Sequence, residues 1–369
     1  MNGFQVVPDS ILSLALLVGR ADKAADLFIG QFNHDLKSGG GAFGLISEPL
    51  GKLREQALTN TTKARDLAHS SSLELFATYH WYRGKEQEVL ADLDSKLPEV
   101  VAKYQDEYGL PDRIATESYD DVQDASDPLG TGNLYRGPGS PDFDEALRRD
   151  QWPVDWENKL GEMGDKIAIS GIARAIMNKL AGFDLLAKLG LLISGDWPGI
   201  YRESLVFTHT AKAFEHINLN IRRGRFAIQD EWEGNAAAGA KNWLEAYAKS
   251  CAAHSEFLED VARKTERLAK AAYHQFSVID TVLDTLIDSL ADAPVVLQLP
   301  LFGNLFDSAE GAGDIFRAIL AVINELTGLI DLFWALAHEF SATMAVLMGQ
   351  GSLVAGSWPS LAYDHPQAS

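Results

Sequence analysis

The chain reads as all-α, built from tandem long antiparallel helical hairpins in an elongated bundle. Three observations predict this. Apolar residues recur at steps of three and four over long stretches. Clear alternating strand patterns are absent from the sequence, and no Asn-Gly turn joins two such runs. Glycine-rich breaks separate the long stripes, as short reversals between helices require.

The first stripe is Ile11, Leu14, Val18, Ala21, Ala25, Phe28 and Phe32. Such spacing puts all seven on one helix face. Ser38-Gly39-Gly40-Gly41 interrupts it. A second stripe runs from Leu50 through Leu53, Ala57, Ala64, Leu67, Ser71, Leu75, Tyr79 and Tyr82 to about Leu93, and Pro98 closes it. Two helices joined by a short turn bury their stripes only by lying antiparallel. Residues 1–103 are therefore the first hairpin.

Residues 104–150 differ. Four prolines and five glycines accompany 12 acids and 4 bases, a local net of −8. This predicts a solvated acidic linker.

Residues 151–292 are helical again. Trp156 to Leu192 is apolar. At Gly195-Asp196-Trp197-Pro198, Asp196 suits an N-cap and Pro198 the first helical turn. A helix over about 198–228 and another over about 235–290 flank a turn at 229–234. Residues 293–369 hold an apolar stretch, Pro294 to Phe306, then a helix over about 310–348. The Gly/Ser/Pro-containing tail after Gly349 reads as frayed.

Composition limits the function. Lys and Arg number 32 against 52 Asp and Glu, a net of −20. Nucleic acid is disfavoured, because phosphate binding needs a basic footprint. One cysteine, Cys251, allows neither an intrachain disulfide nor a cysteine-based zinc cluster. The apolar stretch Ile11–Val18 follows Asp9 and lacks a basic leader, so it reads as a helix and not a signal peptide. Ile315–Met348 is broken by Arg317, Glu325, Asp331 and Glu339, which argues against a spanning helix.

Several motifs invite chemistry and fit a plainer role. Gly39, Gly41 and Gly44 spell G-x-G-x-x-G, but the dinucleotide fingerprint needs a preceding strand. His209 and His216 could share a helix face, yet no H-E-x-x-H occurs. Cys251, His254 and Ser255 crowd one helix, whereas a nucleophile and its base usually come from separate elements. Asp120, Asp121, Asp124 and Asp127 lack the spacing of a calcium loop. No enzyme, cofactor or metal is expected.

The turn Glu231-Trp232-Glu233-Gly234 is the informative feature. Glycine permits the reversal, and a tryptophan can either cap its own hairpin core or plug a groove on a partner. Trp232-Glu233-Gly234-Asn235-Ala236-Ala237 resembles the W-x-G turn of helical-hairpin substrates of type VII (ESX) secretion, including Esp-type and PE/PPE-type proteins. Tyr82-Arg83-Gly84-Lys85-Glu86 is similar to that family's Y-x-x-x-[DE] element, in the expected order along the chain. Position 86 is Glu where the family more often has Asp, and Gly84 interrupts the motif.

The resemblance implies a secreted, non-enzymatic protein without a cleavable signal peptide. Trp232, Gly234, Tyr82 and Glu86 would form the export signal, read by the machine's membrane ATPase. A small helical-hairpin partner or self-assembly is also implied, and no cofactor. A second expectation is a membrane-active or pore-forming protein. Its motivation is the apolar stretch, with Val295, Leu299, Leu301, Phe302 and Phe306 as candidate membrane contacts. A third is an oligomeric scaffold.

Overall fold

The computed structural model describes residues 5–33, 41–85, 89, 92, 96, 119–127, 156–167, 178, 180–291 and 312–365. The class is all-α, and no β-strand occurs among the described residues. Helix α1 spans Pro8–Ile29 and ends in a 3-10 turn, Gly30–Asn33. The others are α2 (Gly41–Arg83), α3 (Trp156–Ile167), α4 (Leu185–Ile193), α5 (Trp197–Ala227), α6 (Asn235–Ala291) and α7 (Ala312–Ser357).

The most extensive packing is α5 on α6 and α1 on α2. These pairs do not stand apart. Helix α1 also meets α5, and α7 lies against both α6 and α2. The sequence of α7 explains its place. Ile319, Ile323, Leu326, Ile330, Phe333, Ala337, Phe340, Met344 and Leu347 are buried at alternating steps of four and three. That is the repeat of a helix seated along its neighbours.

Trp197 ties four helices together. It opens α5 and stands edge-to-face to Phe43 of α2, Phe276 of α6 and Phe333 of α7, at 5.3, 5.4 and 5.1 Å between ring centres. Its indole N–H donates to the Leu192 carbonyl at the end of α4. Asp196 caps α5 as expected, its Oδ1 accepting from the Gly199 N–H at 2.9 Å. Gly195 has φ of +135°, and the Phe43 ring occupies the space a Cβ would need.

Some expectations need correction. Helix α2 begins at Gly41, ahead of the expected start, and runs through Pro49. It ends at Arg83, short of Leu93. The apolar stretch over 156–192 is helical as expected and carries α3 and α4, with Gly182 at φ of +76° just before α4. Residues 350–365, after Gly349, are not frayed. Helix α7 continues to Ser357, and residues 358–365 return over the bundle. Trp358, Tyr363 and His365 in this return are buried.

Part of the acidic linker is docked as well. Asp121 pairs with Arg20, its Oδ2 3.1 Å from Nε. The Asn220 side chain accepts from the Val122 N–H and donates to the Gln123 carbonyl. Ala125 is buried. Helix α7 also contains a window apolar and long enough to cross a membrane, with mean hydropathy 1.7, of which 28% is buried.

Candidate functional site

The turn between α5 and α6 is built by short-range chemistry. Ile228 ends α5, and its N–H and that of Trp232 bond back to Gly224 and Ile228 carbonyls. Gly234 takes φ of +111°, a conformation L side chains rarely adopt, and its carbonyl accepts from the Ala238 N–H to start α6. Lys241, two turns into α6, donates to the Gln229 and Trp232 carbonyls at 2.9 and 2.8 Å. It thus neutralises the carbonyl-rich end of the reversal.

Two distant segments staple the turn. Gln5–Val7 pairs antiparallel with it. The Val7 N–H donates to the Glu231 carbonyl and the Glu233 N–H to the Gln5 carbonyl, each at 2.8 Å. From the linker, the Tyr119 hydroxyl donates to Glu231 Oε2 at 2.8 Å. Burial and the adjacent carboxylate push the Tyr119 phenol up.

Trp232 is 0% exposed and Tyr82 2%. Their rings meet edge-to-face, with centroids 6.0 Å apart at 80°. The C-terminal end of α2 and the α5–α6 turn are therefore joined by one aromatic contact. The return segment closes over it. Tyr363 stands perpendicular to Trp232 at 6.4 Å, and His365 lies 5.7 Å from Tyr82 and 5.2 Å from Trp81. The Trp232 indole N–H is buried without an acceptor among the described residues.

No family model, curated protein or solved structure matches this chain. The reading of the site rests on its own geometry.

Among the sequence-derived site residues, Trp232, Gly234 and Tyr82 converge here. Glu86, Val295, Leu299, Leu301, Phe302 and Phe306 lie outside the described residues. Helix α2 stops at Arg83, so the relation of Tyr82 to Glu86 rests on spacing alone. Val6, Tyr119, Lys241, Tyr363 and His365 were not read as site residues. Nothing local in the sequence marks them, because each acts through a partner far along the chain.

The other candidates separate. His254 Nε2 is 3.0 Å from Thr61 Oγ1 and packs against Phe214 and Trp358. Burial lowers its pKa to about 3, so the ring is neutral. Ser255 points elsewhere, donating to the Ala211 carbonyl at 2.7 Å. The Cys251 thiol is buried beside Tyr247 and pushed up by desolvation. These three do not form a nucleophile–base pair. His209 is buried, whereas His216 sits at the Asp124 carbonyl. Gly41 simply opens α2. No group of three His, Cys, Asp or Glu among the described residues could hold a metal. A groove of about 380 Å³ between α1, α5 and residues 121–126 has a mixed lining of Arg20, Lys23, Asp26 and Asp121.

Proposed function

We propose that this chain is a non-enzymatic substrate of a type VII secretion machine, exported as a folded helical bundle. Trp232, Gly234, Tyr82 and Glu86 form its composite export signal. The contact between Tyr82 and Trp232 supports this reading most strongly. It sets the tyrosine of the Y-x-x-x-E element against the tryptophan of the W-x-G turn, a pairing that only the folded chain has. Because both rings are buried, their role is to hold the surface around them in shape. Exposed Asp230 and Glu233 beside them are what a reader would meet. The reader is the membrane ATPase of the machine. Its purified cytoplasmic domains should bind the folded chain and lose most of that affinity for the Asp230→Asn/Glu233→Gln variant. Equal binding by both would contradict the assignment.

A second reading is favoured by α7. Its apolar window and its exposed Leu332, Val346 and Leu353 suit a lipid surface. Lowering the pH would neutralise acids and reduce the −20 charge that opposes insertion. A dye-leakage assay on anionic vesicles at neutral and acidic pH tests it. Leakage supports membrane activity, and intact vesicles at both pH values argue against it.

A further inference from the structure

Helix α7 has two patterned faces. One packs on α6 and α2 through the buried row from Ile319 to Leu347. Opposite that row stand Ala321, Gly328, Ala335, Ala342, Gly349 and Gly356, each seven residues from the next and all exposed. A Cβ added at Gly328, Gly349 or Gly356 would meet nothing within 4 Å. A neighbouring row, also exposed, holds Glu325, Leu332, Glu339, Val346 and Leu353. Leu332, Val346 and Leu353 are 56, 67 and 77% exposed. The outward face of a surface helix is ordinarily polar and charged. Here residues 340–363 carry no charged side chain at all. The two exposed rows alternate at steps of four and three, which is the repeat of a second helix-packing seam.

This seam is complementary to itself. One row is small at every position, and the other carries the large side chains. In an antiparallel helix pair each layer sets a position of one row against a position of the other. Let Leu332 enter at Ala342 of a second copy. Val346 then falls on Gly328, Leu353 on Ala321, and Glu339 on Ala335, one turn from His338. Every large side chain meets a hollow. A parallel pair in register would instead stack Glu325 on Glu325, Glu339 on Glu339 and glycine on glycine, which repels and leaves voids.

Charge selects the same direction. The exposed acids Glu325, Asp331 and Glu339 all lie in the first half of the seam. Antiparallel pairing carries Glu325 and Asp331 onto the uncharged half of the other copy. The area is sufficient as well. At about 1.5 Å per residue the seam from Ala321 to Gly356 is roughly 50 Å long, and a helix is about 10 Å wide. That strip hides roughly 1,000 Å² over two copies, the size at which a specific interface begins.

We propose that the outward face of α7 is a self-association surface, on which a second copy of this chain packs its own α7 antiparallel. The seam joins two chains through a two-fold axis, so each substitution in it is felt twice. This does not require the export reading, and it competes with lipid for the same face.

Sedimentation equilibrium of the full chain tests it first. The average mass should climb from 40.3 kDa toward twice that value between about 1 and about 100 µM. A monomer throughout overturns the proposal. The Leu332→Lys/Val346→Lys chain should dissociate at least about tenfold more readily, with unchanged helicity because both side chains already face solvent. A dimer as tight as wild type overturns the assignment to this face. Cysteine crosslinking then reads the direction and also decides if the lysine chain loses helicity. Leu332→Cys and Ala342→Cys chains, oxidised as a mixture, should form the interchain disulfide at least about tenfold faster than either alone. Cys251 is buried and stays outside this reaction. Equal rates in the mixture and the separate chains contradict the antiparallel seam.

Discussion

Tyr82 closes α2 and Trp232 closes the reversal after α5, and their rings meet edge-to-face at 6.0 Å in the buried interior. This contact joins the end of α2 to the α5–α6 turn, beside the backbone bonds that Gln5 and Val7 make to the same turn. It also makes Trp232 structural in a way the sequence left open, since the indole caps the chain's own core.

Trp232→Ala should therefore destabilise the fold. Removing a fully buried indole leaves a cavity, at a cost of about 3–5 kcal/mol. Trp232→Phe keeps a ring against Tyr82 and Tyr363 and should cost less than half of that. Urea denaturation of the three chains measures the order, and equal midpoints for wild type and Trp232→Ala would refute it.

Gly234→Ala tests the turn itself. A φ of +111° strains any L side chain, so a loss of roughly 1–3 kcal/mol is expected. Gly328→Ala on the exposed face of α7, where an added Cβ meets nothing, should be neutral or slightly stabilising. Thermal melts of the pair separate conformational strain from a general glycine effect.

Acid sensitivity follows from His254 and His209. Burial lowers their pKa values to about 3 and about 4, below the ordinary 6.5. Between those values the unfolded chain binds the extra protons, so stability is fully present above pH 6.5 and falls as pH drops toward 4. Glu203 acts the other way. Desolvation raises its pKa to about 7, with Arg54 opposing the shift, so the folded chain holds the extra proton between pH 4.5 and 7. Its burial lowers stability progressively as pH rises through that window. Glu203→Gln should then stabilise the chain at pH 8 by about 1 kcal/mol or more, and leave it nearly unchanged at pH 4.5. Denaturation curves at the two pH values test this, and a greater gain at the lower pH would reverse the assignment.

Cys251 should resist thiol reagents. Its sulfur is buried and desolvation disfavours the thiolate. Labelling with a chromogenic disulfide should proceed at the rate of global unfolding and accelerate with denaturant. Rapid labelling of the native chain would place the thiol at the surface.

Helix boundaries at α5 and α6 were legible because the signals are local. Asp196 and Pro198 mark a start, and Gly234 marks a reversal, without reference to the rest of the chain. The C-terminal return was not legible for the opposite reason. Gly, Ser and Pro make it look frayed, and its order depends on Ser71, Glu74 and Trp243. The acidic linker misled in the same way. Four aspartates read as solvated, yet Arg20 and Asn220 draw residues 121–123 onto the bundle. The pairing of Tyr82 with Trp232 was expected from resemblance alone, since no periodicity relates positions on different helices.

The central claim is that Tyr82, Glu86, Trp232 and Gly234 act as one export signal. The most direct test is the secreted fraction of the chain from cells carrying a type VII machine, normalised to folded protein inside. Glu86→Gln and the Asp230→Asn/Glu233→Gln pair are the variants to use, because a change at the buried Trp232 would confuse misfolding with lost recognition. Each should cut the secreted fraction at least about tenfold while the intracellular chain stays folded, a loss of roughly 1.4 kcal/mol in recognition. If both variants reach the medium at wild-type levels, the account of this chain as a type VII substrate is wrong.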